Sequence, residues 1–351
     1  MVQWAAKTFS FLAYIRVERV CRILSLVETL LRAFFAWLIY PGFLFLLIAG
    51  IIIEGLRRRF AGRVEGRDGP GLLQGFFELA KLLRKPATVP AGYEPPEDDQ
   101  ATNQMAATRR EGSRWGLFAI PLFGMLALST GVALLPLPGN LWPYLNTADK
   151  ALGADLLAAS LLFLVPGLGA VMVGSMGGSV YSQLAGARVF QLLVACAVPY
   201  AVAVFGPALA LGNLDLLTVA GADNLLMLGV KALCGLLFLL CLPVILRLKP
   251  LAASGGEVLE GITNDLGGPP LALFKLMQWM ERLALSLFFA VLFVPTPLLF
   301  IPGVLLALGL IGIVDALFSH VRLRDAFNFY LRYTNPAALV LLVLLALAVK
   351  V

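Results

Sequence analysis

The sequence contains few of the residues that bind redox metals. Its 351 residues include one histidine and four cysteines. Cys21, Cys196, Cys234 and Cys241 are scattered and form no CxxC pair, so the ligand spacing typical of iron–sulfur or zinc sites is missing. The only histidine, His320, excludes haem held by two histidines of this chain. We therefore expect no cofactor in this chain, and we expect the cysteines to pack as small apolar residues.

Charge is also scarce. Only 14% of the residues are charged and 60% are hydrophobic, whereas soluble domains have about 25% charged residues. A soluble core cannot bury this much apolar surface, so the composition predicts a polytopic membrane protein. The net charge of +6 is then a signal of topology, and we expect no nucleic-acid partner. Charged residues interrupt 1–32, which argues against a cleavable signal peptide.

Eight apolar segments are long enough to cross a bilayer as helices. They are 33–54, 115–137, 152–176, 187–211, 225–246, 270–294, 297–318 and 334–350. The predicted fold is an all-α polytopic membrane protein with a single membrane domain over 33–350. Residues 1–32 are predicted to form an amphipathic helix at the membrane interface; the alternative is that they lengthen the first span.

Basic residues lie mainly in the odd-numbered loops between these spans. The first, third, fifth and seventh loops carry arginines and lysines, whereas the even-numbered loops contain only Lys150. The positive-inside rule therefore predicts that the odd loops are cytoplasmic and that both termini lie outside. The basic residues within 1–32 conflict with this orientation, unless that segment binds anionic lipid. The two large cytoplasmic loops, 57–114 and 247–269, are predicted to form a docking surface.

The stretch EGRDGPGLLQGFFELAKLLRKP, residues 65–86, predicts an amphipathic surface helix within the first loop. Gly69-Pro70-Gly71 is a turn that typically precedes a helix. One face is apolar and the other polar, and Glu78 and Lys81 are spaced as an ion pair. The predicted apolar face consists of Leu72, Leu73, Phe76, Phe77, Ala80 and Leu83. Such a helix is expected to lie flat at the membrane surface.

Several polar residues fall at membrane depth, where they are costly and by default mark function. The candidates are Glu54, Lys231, Lys275, Gln278, Glu281, Arg282 and Asp315. Glu54 and Asp315 are expected near span ends, within reach of water. Residues 275–282 are spaced to share one broad helix face. That face is either a salt-bridged helix contact or the remainder of a polar axis across the membrane.

The glycine-rich stretch GLGAVMVGSMGG, residues 167–178, lies within a predicted span. It follows no strand and has no phosphate-binding lysine, so its small residues favour close helix packing. The chain also lacks a histidine suited to serine hydrolase chemistry. We therefore expect no catalytic residues, and we expect that the chain is not an enzyme by itself.

Two loop motifs give the chain a family resemblance. RDGPGLLQGFFELAKLL resembles the signature of the NADH dehydrogenase (complex I) subunit 1 family, which has R-x-G-P, a G-L-x-Q step, an acid and then K-L-L. The matching residues are Arg67, Gly69, Pro70, Gly71, Gln74, Glu78, Lys81 and Leu82. GEVLEGITNDLGG resembles that family's E-L-x-x-G-x-x-x-E loop, with Glu257, Gly261 and Gly268 matching and Asp265 in place of the glutamate.

A third motif, LAGARVFQLL, places Gly186 and Arg188 on the family's G-A-x-R step, and the resemblance extends over about 33–350. RRRF and HVRLRDAF look most like the hydrogenase branch, which includes formate hydrogenlyase subunit 4 and the membrane subunits of energy-converting group 4 NiFe hydrogenases. Several family carboxylates are missing. Gln278 stands where a glutamate is frequent, Ala197 or Val198 replaces another, and Ser319 lies near a third position.

The resemblance implies a membrane-anchor subunit of a redox complex in a prokaryotic inner (cytoplasmic) membrane. Implied partners are hydrogenase-like large and small subunits, a ferredoxin-like iron–sulfur subunit and antiporter-like membrane subunits that translocate ions. The NiFe centre and the iron–sulfur clusters would belong to those partners. The docking or junction residues implied are Arg67, Gly69, Pro70, Gln74, Glu78, Lys81, Arg188, Glu257, Glu260 and Asp265. Of these, Arg67 and Lys81 would pair with acids of the partner.

A buried glutamine cannot exchange a proton, so the missing carboxylates predict a weakened polar axis through Glu54, Lys275, Gln278, Glu281 and Asp315. Three other interpretations stay open. In a quinone-reducing complex, the surface helix and first span would frame a quinone tunnel. A scaffold inert in ion transfer is the second. A free-standing secondary transporter is the third, although we see no internal repeat of the kind such proteins have.

Overall fold

The structure is a computed structural model. It describes residues 28, 34–35, 37–66, 68–87, 100–138, 155–177, 179–222, 224–248, 261–263, 265–294, 299–317 and 321–348, with backbone alone for 100–114. The segment 1–32, apart from Glu28, thus lies outside the described residues, as do Arg67, Glu257, Glu260, Ser319 and His320. Within the described ranges the regular elements are all helices, which confirms the predicted all-α class.

Eleven α-helices are described. They are α1 (Phe43–Val64), α2 (Gln74–Arg84), α3 (Gln100–Ala133), α4 (Leu156–Met176), α5 (Val180–Leu211), α6 (Leu216–Ala220), α7 (Leu225–Ile245), α8 (Pro269–Phe293), α9 (Phe300–Leu317), α10 (Leu323–Phe329) and α11 (Asn335–Ala348). A π-helical turn, Tyr330–Thr334, joins α10 to α11, so they form one continuous rod.

Among the described residues, seven segments are long and apolar enough to cross a membrane. They are Trp115–Ala133, Leu156–Met176, Val180–Leu211, Leu225–Ile245, Pro269–Phe293, Phe300–Leu317 and Leu323–Leu347. The remaining predicted span, 33–54, corresponds to α1, whose second half carries Glu54 and four arginines. The protein is therefore a multi-pass membrane protein.

Helix α8 is the centre of the bundle. Nearly its whole length is buried, and it contacts α1, α2, α3, α4, α7 and α9. Around it, Phe163, Phe238 and Phe288 form the aromatic centre of the core, with ring centroids 4.8 and 5.9 Å from Phe288. The buried thiols of Cys196, Cys234 and Cys241 are also in the interior, which confirms their predicted role in packing; Cys21 lies outside the described residues.

The helices alternate in direction, so the odd-numbered connections share one face, here called the odd-loop face. A methyl group added to Gly268, just before α8, would lie 2.5 Å from the carbonyl oxygen of Pro86, just after α2. Asp265 accepts hydrogen bonds from the backbone nitrogen (3.0 Å) and hydroxyl (2.6 Å) of Ser179, between α4 and α5. Three odd-numbered connections thus meet, as predicted.

The opposite face holds the even-numbered connections. The backbone nitrogen of Leu156 donates to the carbonyl of Leu214 at 3.1 Å. The hydroxyl of Tyr40, ahead of α1, donates to the carbonyl of Pro138, after α3, at 2.8 Å. The start of α1 therefore lies with the even-numbered loops.

Several helix boundaries differ from the predicted ones. Helix α1 is shifted towards the C-terminus, and α3 begins at Gln100 rather than 115, so the first connection is shorter than 57–114. Helix α5 begins at Val180 rather than 187, so Arg188, predicted at the edge of a span as part of the third connection, lies about two turns inside a helix. Arg324 and Arg332 likewise fall within the last rod. In each case the helix continues beyond the apolar segment into charged residues that were predicted to belong to a loop. Hydropathy detects the part of a helix in the membrane core and not the end of the helix.

Close packing of α4 on α5 explains the glycine-rich stretch. A methyl group on Gly174 would lie 2.8 Å from the Cα atom of Gly186. The backbones of the two helices therefore touch at this crossing, and no side chain fits between them. The prediction of close helix packing at 167–178 is confirmed.

Candidate functional site

A network of buried charges lies near the odd-loop face, and its centre is Glu54 in α1. The Glu54 side chain is only 3% exposed. One carboxylate oxygen accepts from Arg57 and Arg58, both at 2.8 Å, and the other accepts from Arg57 at 3.0 Å. Arg282 of α8 also donates to this second oxygen. The expectation that Glu54 reaches water is wrong, because α1 continues for nearly three turns beyond it and its own arginines cover it.

The network extends outward to the surface helix through Arg58. The Nη1 atom of Arg58 donates to Glu78 of α2 at 2.8 Å. The guanidinium of Arg58 also lies over the ring of Trp279 in α8, 5.5 Å from its centroid. One arginine therefore joins α1, α2 and α8. The ion pair predicted between Glu78 and Lys81 is not among the ion pairs of the described residues; Arg58 takes that place.

The network extends sideways to α9 through Arg57, which forms an ion pair with Asp315. Asp315 is half-buried, with 21% of its side chain exposed. Together the group contains three arginines, at 57, 58 and 282, and three carboxylates, at 54, 78 and 315. The charges balance, which is the condition for keeping so many ionised groups in an apolar setting.

A second buried ion pair lies one residue away on α8. Glu281 is fully buried and pairs with Arg247, which follows α7. Arg247 also donates to the carbonyl of Pro166 in α4, at 3.2 Å. This pair therefore ties together α4, α7 and α8. Arg247 was predicted to be a basic residue of the fifth loop, but it is 3% exposed; it folds back into the bundle because Glu281 needs a cation.

Not all polar atoms of this region have partners inside the chain. Within the described residues, Arg247 Nε, Gln278 Nε2, Glu281 Oε1 and Arg282 Nε are buried without a hydrogen bond. All four belong to α8 or to the residue paired with it. Buried polar atoms are normally satisfied by protein or by ordered water. The region around Gln278, Glu281 and Arg247 is therefore polar enough to hold water.

The arrangement has a definite chemical capacity. Glu78, Arg58, Glu54 and Arg282 form a continuous series of hydrogen bonds from the odd-loop face to α8. Glu281, the next residue of α8, begins a second series that runs through Arg247 to α4. Of the two interpretations of residues 275–282, the structure supports the salt-bridged helix contact, through Glu281 and Arg282; the polar axis across the membrane stays a prediction.

The surface helix packs against the bundle through residues outside its predicted apolar face. Its buried residues are Gly75 and Leu79, and Gly75 fits against the ring of Trp279, which a methyl group would approach to 3.4 Å. Of the six residues of the predicted apolar face, five are exposed at the surface of the chain and Ala80 is half-buried. Gly69 is required by space, because a methyl group there would lie 2.6 Å from the Cα atom of Arg59.

The other predicted junction residues occupy varied places. Gln74 is exposed at the start of α2, Pro70 is half-buried, and Arg188 is half-buried in α5. Asp265 is engaged inside the chain by Ser179, which itself caps α5. Lys275 is half-buried on α8.

Sequence reasoning did not assign Arg57, Arg58 or Arg247 to a site. These residues looked like ordinary positive-inside markers. Only Arg282 carried a detectable signal, through its spacing on α8. In the part of the chain that the structure describes, no group of three or more His, Cys, Asp or Glu side chains is arranged to hold a metal ion.

Fold and site together define the class: a multi-pass membrane protein whose surface helix is ion-paired to a network of buried charges. Comparison with known proteins identifies the family. The family of NADH dehydrogenase matches residues 103–346, more than half of the chain. The chain belongs to the NADH dehydrogenase family, as the loop motifs predicted, and so is a membrane subunit of the complex I type.

Two curated relatives and one solved structure extend this finding. Both relatives are subunits of NADH-quinone oxidoreductase from Dehalococcoides mccartyi. The one from strain ATCC BAA-2266 / KCTC 15142 / 195 is 25% identical, over 86% of this chain and 83% of its own length. The one from strain CBDB1 is 24% identical, over 88% and 84%. A chain of the membrane-bound sulfane sulfur reductase, an archaeal respiratory membrane complex, has the same fold with a TM-score of 0.68 and 19% identity, over 91% of this chain and 99% of that one.

Proposed function

We propose that this chain anchors a soluble redox arm to a membrane arm in a complex of the hydrogenase type. The soluble arm, carrying the catalytic and iron–sulfur subunits, docks on the odd-loop face. Ion-translocating subunits bind beside the bundle. The observation that carries this proposal is the bond from Arg58 to Glu78, because it connects a surface helix directly to the buried charges.

A docking role fits the construction of the odd-loop face. The ion pair of Arg58, the close approach of Gly268 to Pro86 and the hydrogen bonds of Asp265 fix three connections against one another. A rigid platform loses little conformational entropy when a partner binds. Asp265 therefore supports docking by holding the platform, rather than by offering a free carboxylate.

The proposal also concerns which redox reaction the complex carries out. The relatives are named for quinone reduction and the solved complex for sulfane sulfur reduction, so the fold is compatible with different soluble arms. We assign this chain to the hydrogenase branch on its loop motifs. Hydrogen evolution or uptake by the purified complex tests that assignment, and its absence in an otherwise active complex would overturn it.

The docking role is tested by purification. A tagged chain solubilised from its native membrane is expected to retain soluble subunits with iron–sulfur absorption, together with other membrane subunits. The variants Arg67→Ala and Asp265→Ala should release the soluble subunits while keeping the membrane ones. Asp155→Ala is a matched control, because Asp155 caps α4 on the opposite face. A chain that purifies alone and transports a solute would instead be a free-standing transporter.

We also propose that the ion path through this subunit is weakened at Gln278. Gln278 is 8% exposed, and its Nε2 atom has no hydrogen-bond partner in the described chain. A carboxyl group there would add an exchangeable proton beside Glu281. Gln278→Glu is expected to raise the ions moved per electron pair in proteoliposomes. Unchanged coupling in that variant, with coupling abolished by Glu281→Gln, would place the path elsewhere.

A further inference from the structure

The outer flank of the surface helix α2 carries a groove that the docking role does not use. Phe76, Phe77, Ala80, Lys81, Arg84 and Lys85 line it. Phe76 and Phe77 are 54% and 65% exposed, although aromatic side chains of this size are normally covered. Gln74 lies outside this groove, and Glu78 is turned towards Arg58.

The groove has an apolar end and a cationic end. It follows two rows of residues at helical spacing: Phe76, Ala80 and Arg84 in one, and Phe77, Lys81 and Lys85 in the other. Both rows begin with an aromatic ring and end with a cation. The two ends are about 12 Å apart, eight residues at 1.5 Å each.

The cations are not used within the described part of the chain. Lys81, Arg84 and Lys85 are all exposed, and none is among the ion pairs of the described residues. Lys81 and Arg84 lie in the last turn of α2 and, with Lys85, also suit the negative end of the helix dipole, but that effect does not explain the two exposed rings.

We infer that this groove binds an anionic phospholipid, with the phosphate headgroup on Lys81, Arg84 and Lys85 and the upper acyl chain against Phe76 and Phe77. The polarity and the length match an amphiphile of this kind. A quinone or neutral lipid leaves three cations without a counterion, and an acidic protein segment leaves the aromatic half without an apolar partner. The position of α2 on the odd-loop face, beside α1, places the groove at headgroup level. Lys81 is thereby assigned to lipid rather than to an acid of the soluble arm.

The test is quenching of a reporter by brominated lipid. The full-length chain carrying Phe77→Trp is reconstituted in phosphatidylcholine vesicles that contain brominated phosphatidylglycerol or brominated phosphatidylcholine. The wild-type chain supplies the background from the native tryptophans. The anionic lipid is expected to quench half of the fluorescence of the introduced tryptophan at a mole fraction at least about fivefold lower than the neutral lipid. A factor of about five is what one cation contributes to lipid binding at a membrane surface.

Two controls decide whether the groove is the cause. Lys81→Gln, Arg84→Gln and Lys85→Gln combined should abolish the preference for anionic lipid, whereas Arg322→Gln with Arg324→Gln should keep it, since those exposed arginines lie at another odd-numbered connection. A reporter at Leu236→Trp, which is 62% exposed on α7, should show no preference. Raising the salt from about 50 to about 500 mM should weaken the preference for anionic lipid when the three cations are intact. This control needs no further variant.

Equal quenching by the two lipids, or a preference that survives the triple substitution, would overturn the lipid site. The same reporter is then measured in the intact complex. Loss of quenching there would mean that a protein subunit covers the groove, which also overturns the site while supporting a docked arm. The lipid site does not depend on the proposed function, because its first test uses the chain alone and the measurement in the complex can overturn it while the docking role stands.

Discussion

Arg58 donates a 2.8 Å hydrogen bond to Glu78, which joins the first membrane helix to the surface helix. The same guanidinium donates from Nε to Glu54, also at 2.8 Å. A single side chain therefore spans the boundary between the protein surface and its buried charges. The position of α2 on the bundle, and how firmly α2 is held there, depend on Arg58.

Removing Arg58 should loosen the surface helix more than removing Glu78. Arg58→Ala removes the bonds to Glu54 and Glu78 and the contact with Trp279, whereas Glu78→Ala removes one partly exposed ion pair worth less than about 1 kcal/mol. Hydrogen exchange of the amides in 74–84 measures the difference. The control is Arg63→Ala, because Arg63 is an exposed arginine of α1, the helix that carries Arg58. This variant should leave the exchange in 74–84 unchanged. Equal effects of Arg58→Ala and Glu78→Ala would contradict this account.

Glu54 should be the most sensitive residue of the network. Glu54→Ala leaves Arg57, Arg58 and Arg282 without their shared carboxylate, and breaking a buried ion pair on one side costs about 3–5 kcal/mol. Detergent-induced unfolding of the purified chain measures the loss. Asp315→Ala should cost clearly less, because Asp315 is more exposed and pairs with Arg57 alone.

A double variant tests whether the Glu54 loss is electrostatic. Glu54→Gln with Arg282→Gln should recover part of the stability lost in Glu54→Gln, since the unpaired cation on α8 is also removed. If the two losses simply add, Glu54 acts through packing and not through charge.

The pair of Glu281 and Arg247 should separate stability from function. Either single change, Glu281→Gln or Arg247→Met, is expected to destabilise the bundle by about 3–5 kcal/mol because one buried charge stays unpaired. Both changes together should recover most of that stability. If the axis conducts protons, the stable double variant will still lack ion translocation in proteoliposomes. Full translocation by the double variant would make this pair purely structural.

The crossing of α4 and α5 should tolerate no added volume. Gly174→Ala places a methyl group 2.8 Å from Gly186, and overpacking of this kind costs about 1–3 kcal/mol. Gly229→Ala, on α7, is the matched control, because nothing lies within 4 Å of the added methyl group. Thermal unfolding should show a loss for the first variant and no loss for the second. A stable Gly174→Ala protein would mean that the helices are not held at this distance.

Prediction from sequence succeeded where one physical rule dominates. Hydropathy located the seven segments of the described chain that are long and apolar enough to cross a membrane, since about 20 apolar residues are needed to cross a bilayer. Charge distribution sorted the loops onto two faces, and the contacts of Asp265 and Gly268 agree with it. The family followed from the loop motifs. Helix ends were less accurate: α1 and α3 extend well into the segment read as a loop.

The candidate site was predicted only in part. Glu54, Glu281 and Asp315 stood out because acids are rare in apolar segments. Their partners did not, since Arg57, Arg58 and Arg247 have the same local pattern as loop arginines that face water. Glu78 was identified, but it was paired with Lys81, which is near in sequence, rather than with Arg58, which is near in space.

By itself, the sequence determined that this chain lies in a membrane, that it is helical, which loops share a face, and which family it belongs to. Composition and periodicity are sufficient for the first three properties because they depend on burial of apolar surface and on the placement of charge, and the loop motifs carry the fourth. Only the tertiary structure decided which charges meet. Ion pairing depends on distances of a few ångströms between α1, α2, α8 and α9, helices separated by up to 258 residues along the chain, and no local pattern encodes such a distance.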